Sequence, residues 1–268
     1  MGLNAQQGMM NSDVTNGLLD AYVAADFCWF PFKTRRFFNK SLLIRRGSDD
    51  QTKVIGFDSN GNFNESDASI FANGATLFIE RFFDPEGNDA VQTNKASQAI
   101  IYDGTFFSRL NGFIAPSFQS AEGYDFENPI TLGTNWTTFL SYLKETTGVE
   151  TPYGDNVGGS YLWDDNAYLY VGNAEGWARF YDANTDTLSN LTTAFQEVAG
   201  RANIKLNYNS IPQTLRATGG GIITSFIEKL GAYGQNRFKG NLSGLIFFTE
   251  NVDRAAIETL INSKLLIY

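Results

Sequence analysis

The chain has 268 residues, of which 18% are charged and 15% aromatic, enough length and apolar content for a large folded core and the reverse of a disordered composition. A formal net charge of −9 and a pI near 4.6 argue against nucleic-acid or anionic-membrane partners, which are held by clustered Lys and Arg. Histidine is absent and Cys28 is the single cysteine, so Ser-His-Asp and Cys-His catalysis, an intramolecular disulfide and a cysteine zinc site are all excluded.

Residues 1–17 are polar and rich in Gly, Asn and Gln, and are expected to form a flexible or partner-bound arm before a single domain over 18–268. They carry no basic segment followed by an apolar run, so no signal peptide is expected, and no stretch nears the ~20 apolar residues of a membrane span. The run from Phe27 to Phe38 follows, with Trp29, Phe30, Phe32 and Phe37. It reads equally as a core plug or as an oligomer or particle interface, because exposed aromatic patches mark interaction sites. Cys28, set among these rings, is expected to be a buried small apolar residue.

From residue 42 onward, short apolar or alternating runs recur between Gly, Asn, Asp and Pro. They are Leu42–Arg46, Val54–Phe57, Thr76–Phe83, Gln98–Tyr102, Trp136–Leu143, Ala167–Val171, Trp177–Tyr181, Ile204–Tyr208, Ile222–Ile227 and Leu245–Thr249. This spacing predicts an antiparallel sandwich or barrel. The faces of Thr76–Phe83 stay unassigned, because apolar residues fall on both. Asn60-Gly61 predicts a tight turn. A weak helix is expected at Glu65–Phe71 and a clear one at Val252–Lys264, with Asn251 as its cap.

Several segments resemble a known family. They are Leu42-Leu43-Ile44-Arg45-Arg46-Gly47-Ser48-Asp49-Asp50, Ile55-Gly56-Phe57-Asp58, and Phe82-Phe83-Asp84-Pro85-Glu86-Gly87-Asn88. The closing run Phe238 to Phe248 and the helix begun by Arg254-Ala255-Ala256 complete the set. Together they resemble the catalytic domain of the alpha-L-arabinofuranosidase B family, glycoside hydrolase family 54, whose relatives also occur as stand-alone phage proteins. The resemblance implies an all-β, concanavalin A-like antiparallel β-sandwich, or jelly roll, with a short C-terminal helix. It also implies a retaining mechanism with two carboxylates about 5–5.5 Å apart. The nucleophile position falls on Ala183, and the acid/base turn Leu230–Gln235 holds no acid. The chain is therefore expected not to be an enzyme.

The candidate glycan or ion site comprises Arg46, Asp49, Asp50, Asp84, Trp163, Asp164 and Asp165. For the Arg-Arg-Gly-Ser-Asp-Asp stretch, internal pairing at a strand end is favoured over sugar binding. No cofactor is expected. Calcium at Asp155, Asp164, Asp165 and Asn166 ranks below a solvated acidic loop, since Ca²⁺ needs six to eight oxygens. Trp136, Trp163, Trp177, Tyr161, Tyr168 and Tyr170 are weighed as a sugar-stacking platform against a core role.

The favoured function is a non-enzymatic bacteriophage virion protein: a head fibre, capsid decoration or tail-associated adhesin. Its partners would be other virion proteins, further copies of itself and host surface glycan, with no nucleic acid or membrane. A carbohydrate-binding module and a glycosidase with shifted carboxylates (Asp182 with Glu175, or Asp84 with Glu86) are the alternatives.

Overall fold

The computed structural model describes residues 19–20, 25–119, 122–145, 150–155, 161–164, 168–173, 176–181, 190–220, 226–233 and 236–266. The expected arm lies outside them. In chain order the strands are β1 (Phe27–Trp29), β2 (Leu42–Arg46), β3 (Thr52–Ile55), β4 (Leu77–Phe82), β5 (Ala90–Val91), β6 (Ile100–Tyr102), β7 (Arg109–Leu110) and β8 (Phe113–Ile114). There follow β9 (Ser117–Gln119), β10 (Tyr124–Thr131), β11 (Trp136–Lys144), β12 (Glu150–Gly154), β13 (Tyr161–Asp164), β14 (Tyr168–Asn173), β15 (Gly176–Tyr181) and β16 (Asn190–Gln196). The last are β17 (Lys205–Tyr208), β18 (Ile211–Pro212), β19 (Leu215–Gly219), β20 (Phe226–Leu230), β21 (Ala232–Tyr233), β22 (Asn236–Arg237) and β23 (Lys239–Phe248). Two α-helices accompany them among the described residues, α1 (Glu65–Ala72) and α2 (Arg254–Leu265).

Among the described residues the strand pairs are antiparallel, and apart from the separate β7–β8 and β21–β22 hairpins they form two layers joined at a corner where β9 meets β6. The first layer runs β18-β17-β16-β11-β23, with β1 and β9 along the far side of β23. The second runs β3-β2-β4-β5-β10-β20-β12-β13-β14-β15-β19. Between them Phe126 of β10 and Tyr153 of β12 meet Phe247 of β23 edge-on, at 6.2 and 4.8 Å between ring centres. The Tyr153 hydroxyl, its pKa pushed up by burial, hydrogen-bonds Thr138 of β11 across the gap at 3.1 Å. The expected all-β sandwich with a short C-terminal helix is the fold observed.

Strands β11 and β23 are buried on both faces. Leu245 and Phe247 join the inter-sheet core, whereas Ile246 and Phe248 join a second core with Phe139 and with Ile257, Ile261 and Leu265 of α2. Helix α2 thus lies over the outer face of the first layer. Its cap is Asp253, whose carboxylate accepts the Ala256 N–H at 3.1 Å, two residues after the expected Asn251. Helix α1 is capped by Asn64 and ends on Asn73 in the left-handed region. No helix of the described residues is long and apolar enough to cross a membrane.

The unassigned face of Thr76–Phe83 is explained by a bulge. Leu43 pairs with Arg81 and Ile44 with Ile79, so Glu80 has no partner on β2. The extra residue shifts the alternation, and Ile79 and Phe82 both point inward despite their odd spacing.

The aromatic run is mainly core. Phe27, Trp29, Phe30 and Phe32 are at most 3% exposed, which corrects the expectation of an interface for these four. They are consumed within the chain: Phe27 against Phe126, Trp29 against Phe82, and Phe30 stacked on Phe32. Phe37 is 90% exposed and Phe38 half-buried. Cys28 is buried, and burial with the nearby Asp84 charge pushes its thiol pKa upward, away from thiolate chemistry.

Candidate carbohydrate-binding face

The residues expected to form one site are not brought together. Arg46 donates to both oxygens of Asp49, at 2.9 and 2.6 Å, and to the Phe71 carbonyl, and lies over the Phe71 ring. The Arg46 contact holds the Asp49 carboxyl below the usual range. Asp50 bridges Lys95 and Arg45 at 2.7 Å each, and Arg45 stacks on Phe78. These charges fasten the β2–β3 turn from within, as internal pairing required.

Asp84 is 2% exposed and also structural. It accepts the backbone N–H of Cys28, Glu86 and Asn88 at 2.7, 3.0 and 3.0 Å. Burial raises its pKa to about 6 against the pull of those donors. Glu86 is paired with Arg35 at 3.3 Å, so the suggested acid pair Asp84 and Glu86 is committed elsewhere. Trp163 and Asp164 lie on β13, separated from β2 by β4, β5, β10, β20 and β12, or roughly 25–30 Å of sheet. That separation corrects the expectation of a single cluster. Asp165, Asn166, Glu175, Asp182 and Ala183 lie outside the described residues. Among the described residues no group of three potential metal-ligating acids, histidines or cysteines converges.

A different grouping is assembled at the β14–β15–β19 end of the second layer. Leu169, Val171, Ala178 and Phe180 enter the core. Period-two alternation therefore sends Tyr168, Tyr170, Trp177 and Arg179 to the outer face, where all four are half-buried. Register places Tyr170 opposite Arg179, and Arg179 opposite Ala217. The Arg179 guanidinium lies 4.3 Å above the Tyr168 ring and 6.0 Å from that of Tyr170. Tyr170 meets Trp177 edge-on at 5.5 Å.

Trp177 lies across β19 at Gly219, where a methyl group would run into the indole. Glycine is required here so that the ring can lie flat on the neighbouring backbone. The exposed Arg201 reaches the same end, its side chain against Gly176 and Gly220. Three rings and the Arg179 guanidinium thus share one outer surface, while Arg201 sits at the strand ends against two glycines of the opposite parity. Rings offer apolar faces to the C–H side of a sugar, and guanidinium groups donate to its hydroxyls. Of the aromatics weighed for a platform, Trp136 is excluded: it is buried, and its indole N–H donates to Gln196 at 3.0 Å. Tyr168, Tyr170 and Trp177 are retained. Arg179 was missed, although it stands two residues from Trp177 and so shares its face.

No protein-family model and no curated protein sequence matches the chain. Solved structures do. An arabinofuranosidase complexed with arabinofuranosyl-alpha-1,2-xylobiose superposes with a TM-score of 0.63 at 11% identity, covering 93% of this chain and 64% of its own. The fold is GH54-like. A mutant GH54 alpha-L-arabinofuranosidase soaked with 4-nitrophenyl alpha-L-arabinofuranoside gives 0.62 at 12% identity, covering 93% and 63%. A GH54 enzyme soaked with a cyclic sulfate inhibitor gives 0.61 at 12%. The chain spans less than two thirds of the length of each. This finding overturns the expectation of a non-enzyme, because the proteins that share this fold are arabinofuranosidases. Ala183 and Gly234-Gln235, on which that expectation leaned, lie outside the described residues.

Proposed function

We propose that the chain recognises saccharide through the outer face of β14, β15 and β19, as a head fibre, capsid decoration or tail-associated adhesin of a phage particle. The observation that carries the recognition is the half-buried set Tyr168, Tyr170, Trp177 and Arg179 on one face, with Gly219 keeping Trp177 flat. The particle assignment is supported by the resemblance of the Arg-Gly-Ser-Asp-Asp and Asp-Pro-Glu-Gly-Asn segments to stand-alone phage relatives of the arabinofuranosidase domain.

Binding of the purified chain to a glycan array tests the first part. Trp177→Ala is expected to weaken the best hit at least tenfold, the equivalent of about 1.4 kcal/mol of lost contact. Gly219→Ala, which only unseats the ring, is expected to weaken it in the same direction while leaving the thermal midpoint close to that of the native chain. Light scattering tests the second part: a dimer or trimer is expected of a particle component, and a monomer would count against it.

A second reading is favoured by the likeness in fold to arabinofuranosidases. It predicts release of nitrophenol from 4-nitrophenyl arabinofuranoside by pure protein. Absence of turnover at high enzyme concentration would dispose of it.

A further inference from the structure

A cavity of about 870 Å³ opens on the other layer, between the first two turns of α2 and the hairpin of β17 and β18. One wall is cationic and apolar. Arg254 lies 3.9 Å over the Phe195 ring and pairs with Glu197 at 2.8 Å, while Lys205 approaches Glu197 at 3.6 Å. The same helix face carries Glu258, one turn beyond Arg254 and 3% exposed. Its partners are neutral: the Ser210 hydroxyl donates to one oxygen and the Asn207 amide reaches the other at 3.5 Å. Ser210 is held with Asn209 at φ +63° and +48° in a two-residue turn joining Tyr208 to Ile211. Positive φ at a residue other than glycine costs free energy. The turn nevertheless aims the Ser210 hydroxyl at Glu258. Gln213 lines the cavity beside them.

This lining selects a ligand class by elimination. An anion would meet the buried Glu258 carboxylate, and an ammonium would meet Arg254 and Lys205. Carboxylate and amide acceptors interleaved with guanidinium, ammonium and amide donors match a neutral molecule that both donates and accepts, and the volume suits more than one sugar ring. We infer that the α2–β17–β18 groove is a second saccharide site, with Glu258 accepting from ligand hydroxyls and Arg254 and Gln213 donating to them. It stands apart from the Trp177 face and does not depend on it.

The test uses the full chain carrying Trp177→Ala, with arabinotriose, xylotriose and maltotriose as probes in saturation-transfer NMR. At least one is expected to bind, and affinity is expected to fall at least tenfold on adding Glu258→Gln, which keeps the shape and the Ser210 bond. Gln213→Ala, on the rim, gives an independent loss should the Glu258 variant fold poorly. Three silent trisaccharides, binding indifferent to both substitutions, or tight binding of spermidine or citrate instead would each overturn the inference. Failure of the Trp177 face is read separately, from Glu258→Gln with Trp177 intact.

Discussion

Replacing Asp84 with alanine is expected to destabilise the protein by about 4 kcal/mol near pH 4.5, the sum of leaving several buried N–H groups without acceptors. The carboxylate ties two stretches together. It accepts from Cys28 on β1 and from two amides of its own loop. Its own N–H donates to Asp89, which also holds Arg81. Asn88 carries the connection on to the Asp26 carbonyl and the Asn128 N–H. Asp26 in turn accepts from Thr249 at the end of β23.

The same residue fixes a pH window. Its folded pKa is raised to about 6, above an ordinary aspartate near 3.9. Between those values the folded state binds more protons than the unfolded one, so stability falls as pH rises from about 4 to about 6, by about 3 kcal/mol in total. The alanine variant does not titrate there. Its deficit should therefore shrink to about 2 kcal/mol by pH 7.5, since about 1 kcal/mol of the total is already lost at pH 4.5. Asp49, Asp50 and Asp103 are held low by Arg46, by Lys95 and by backbone N–H groups respectively, so what they contribute is lost only below pH 4, outside this window. Urea denaturation of both proteins across pH 4–7.5 checks the claim. Parallel curves would refute the assignment to Asp84.

Gly244→Ala should cost about 3 kcal/mol, at the upper end for overpacking a core, and lower the thermal midpoint by about 6 °C. The new methyl would fall within the Phe30 ring, which is pinned against Phe32. Gly244 lies in β23 between Leu242 and Ile246, paired to Ser141, so the backbone has little room to retreat. Adding Phe30→Leu should recover part of the loss, making the double variant more stable than the sum of the two single effects. Strict additivity would mean that the two residues do not touch.

Much of the fold was legible, for particular reasons. Leu42–Arg46, Trp136–Leu143 and Trp177–Tyr181 became strands because their β-branched and aromatic residues are bounded by turn formers. β10 was missed because Pro129 interrupts it. Proline is tolerated there because the pairing with β20 slips between Asp125 and Ile130. The Glu80 bulge leaves no local trace, since nothing in Ile79-Glu80-Arg81-Phe82 says which residue the partner strand skips. The candidate site was half legible. The alternation of Tyr168 and Tyr170 with Leu169 and Val171 separates two faces, yet both are apolar, and only the opposing layer decides which is covered. Arg46, Asp49 and Asp84 attracted attention as chemistry because a charge inside a recurrent motif looks the same whether it meets a ligand or its own backbone.

Strands β11 and β23 serve two cores, whereas β14 and β15 serve one and leave their other side open. The architecture thereby divides labour between a keel that tolerates almost nothing and a flank that can be rewritten. A lineage carrying this scaffold can exchange Tyr168, Tyr170, Trp177 and Arg179 for other side chains, and so change whatever that face meets, without disturbing the centre that keeps the molecule folded.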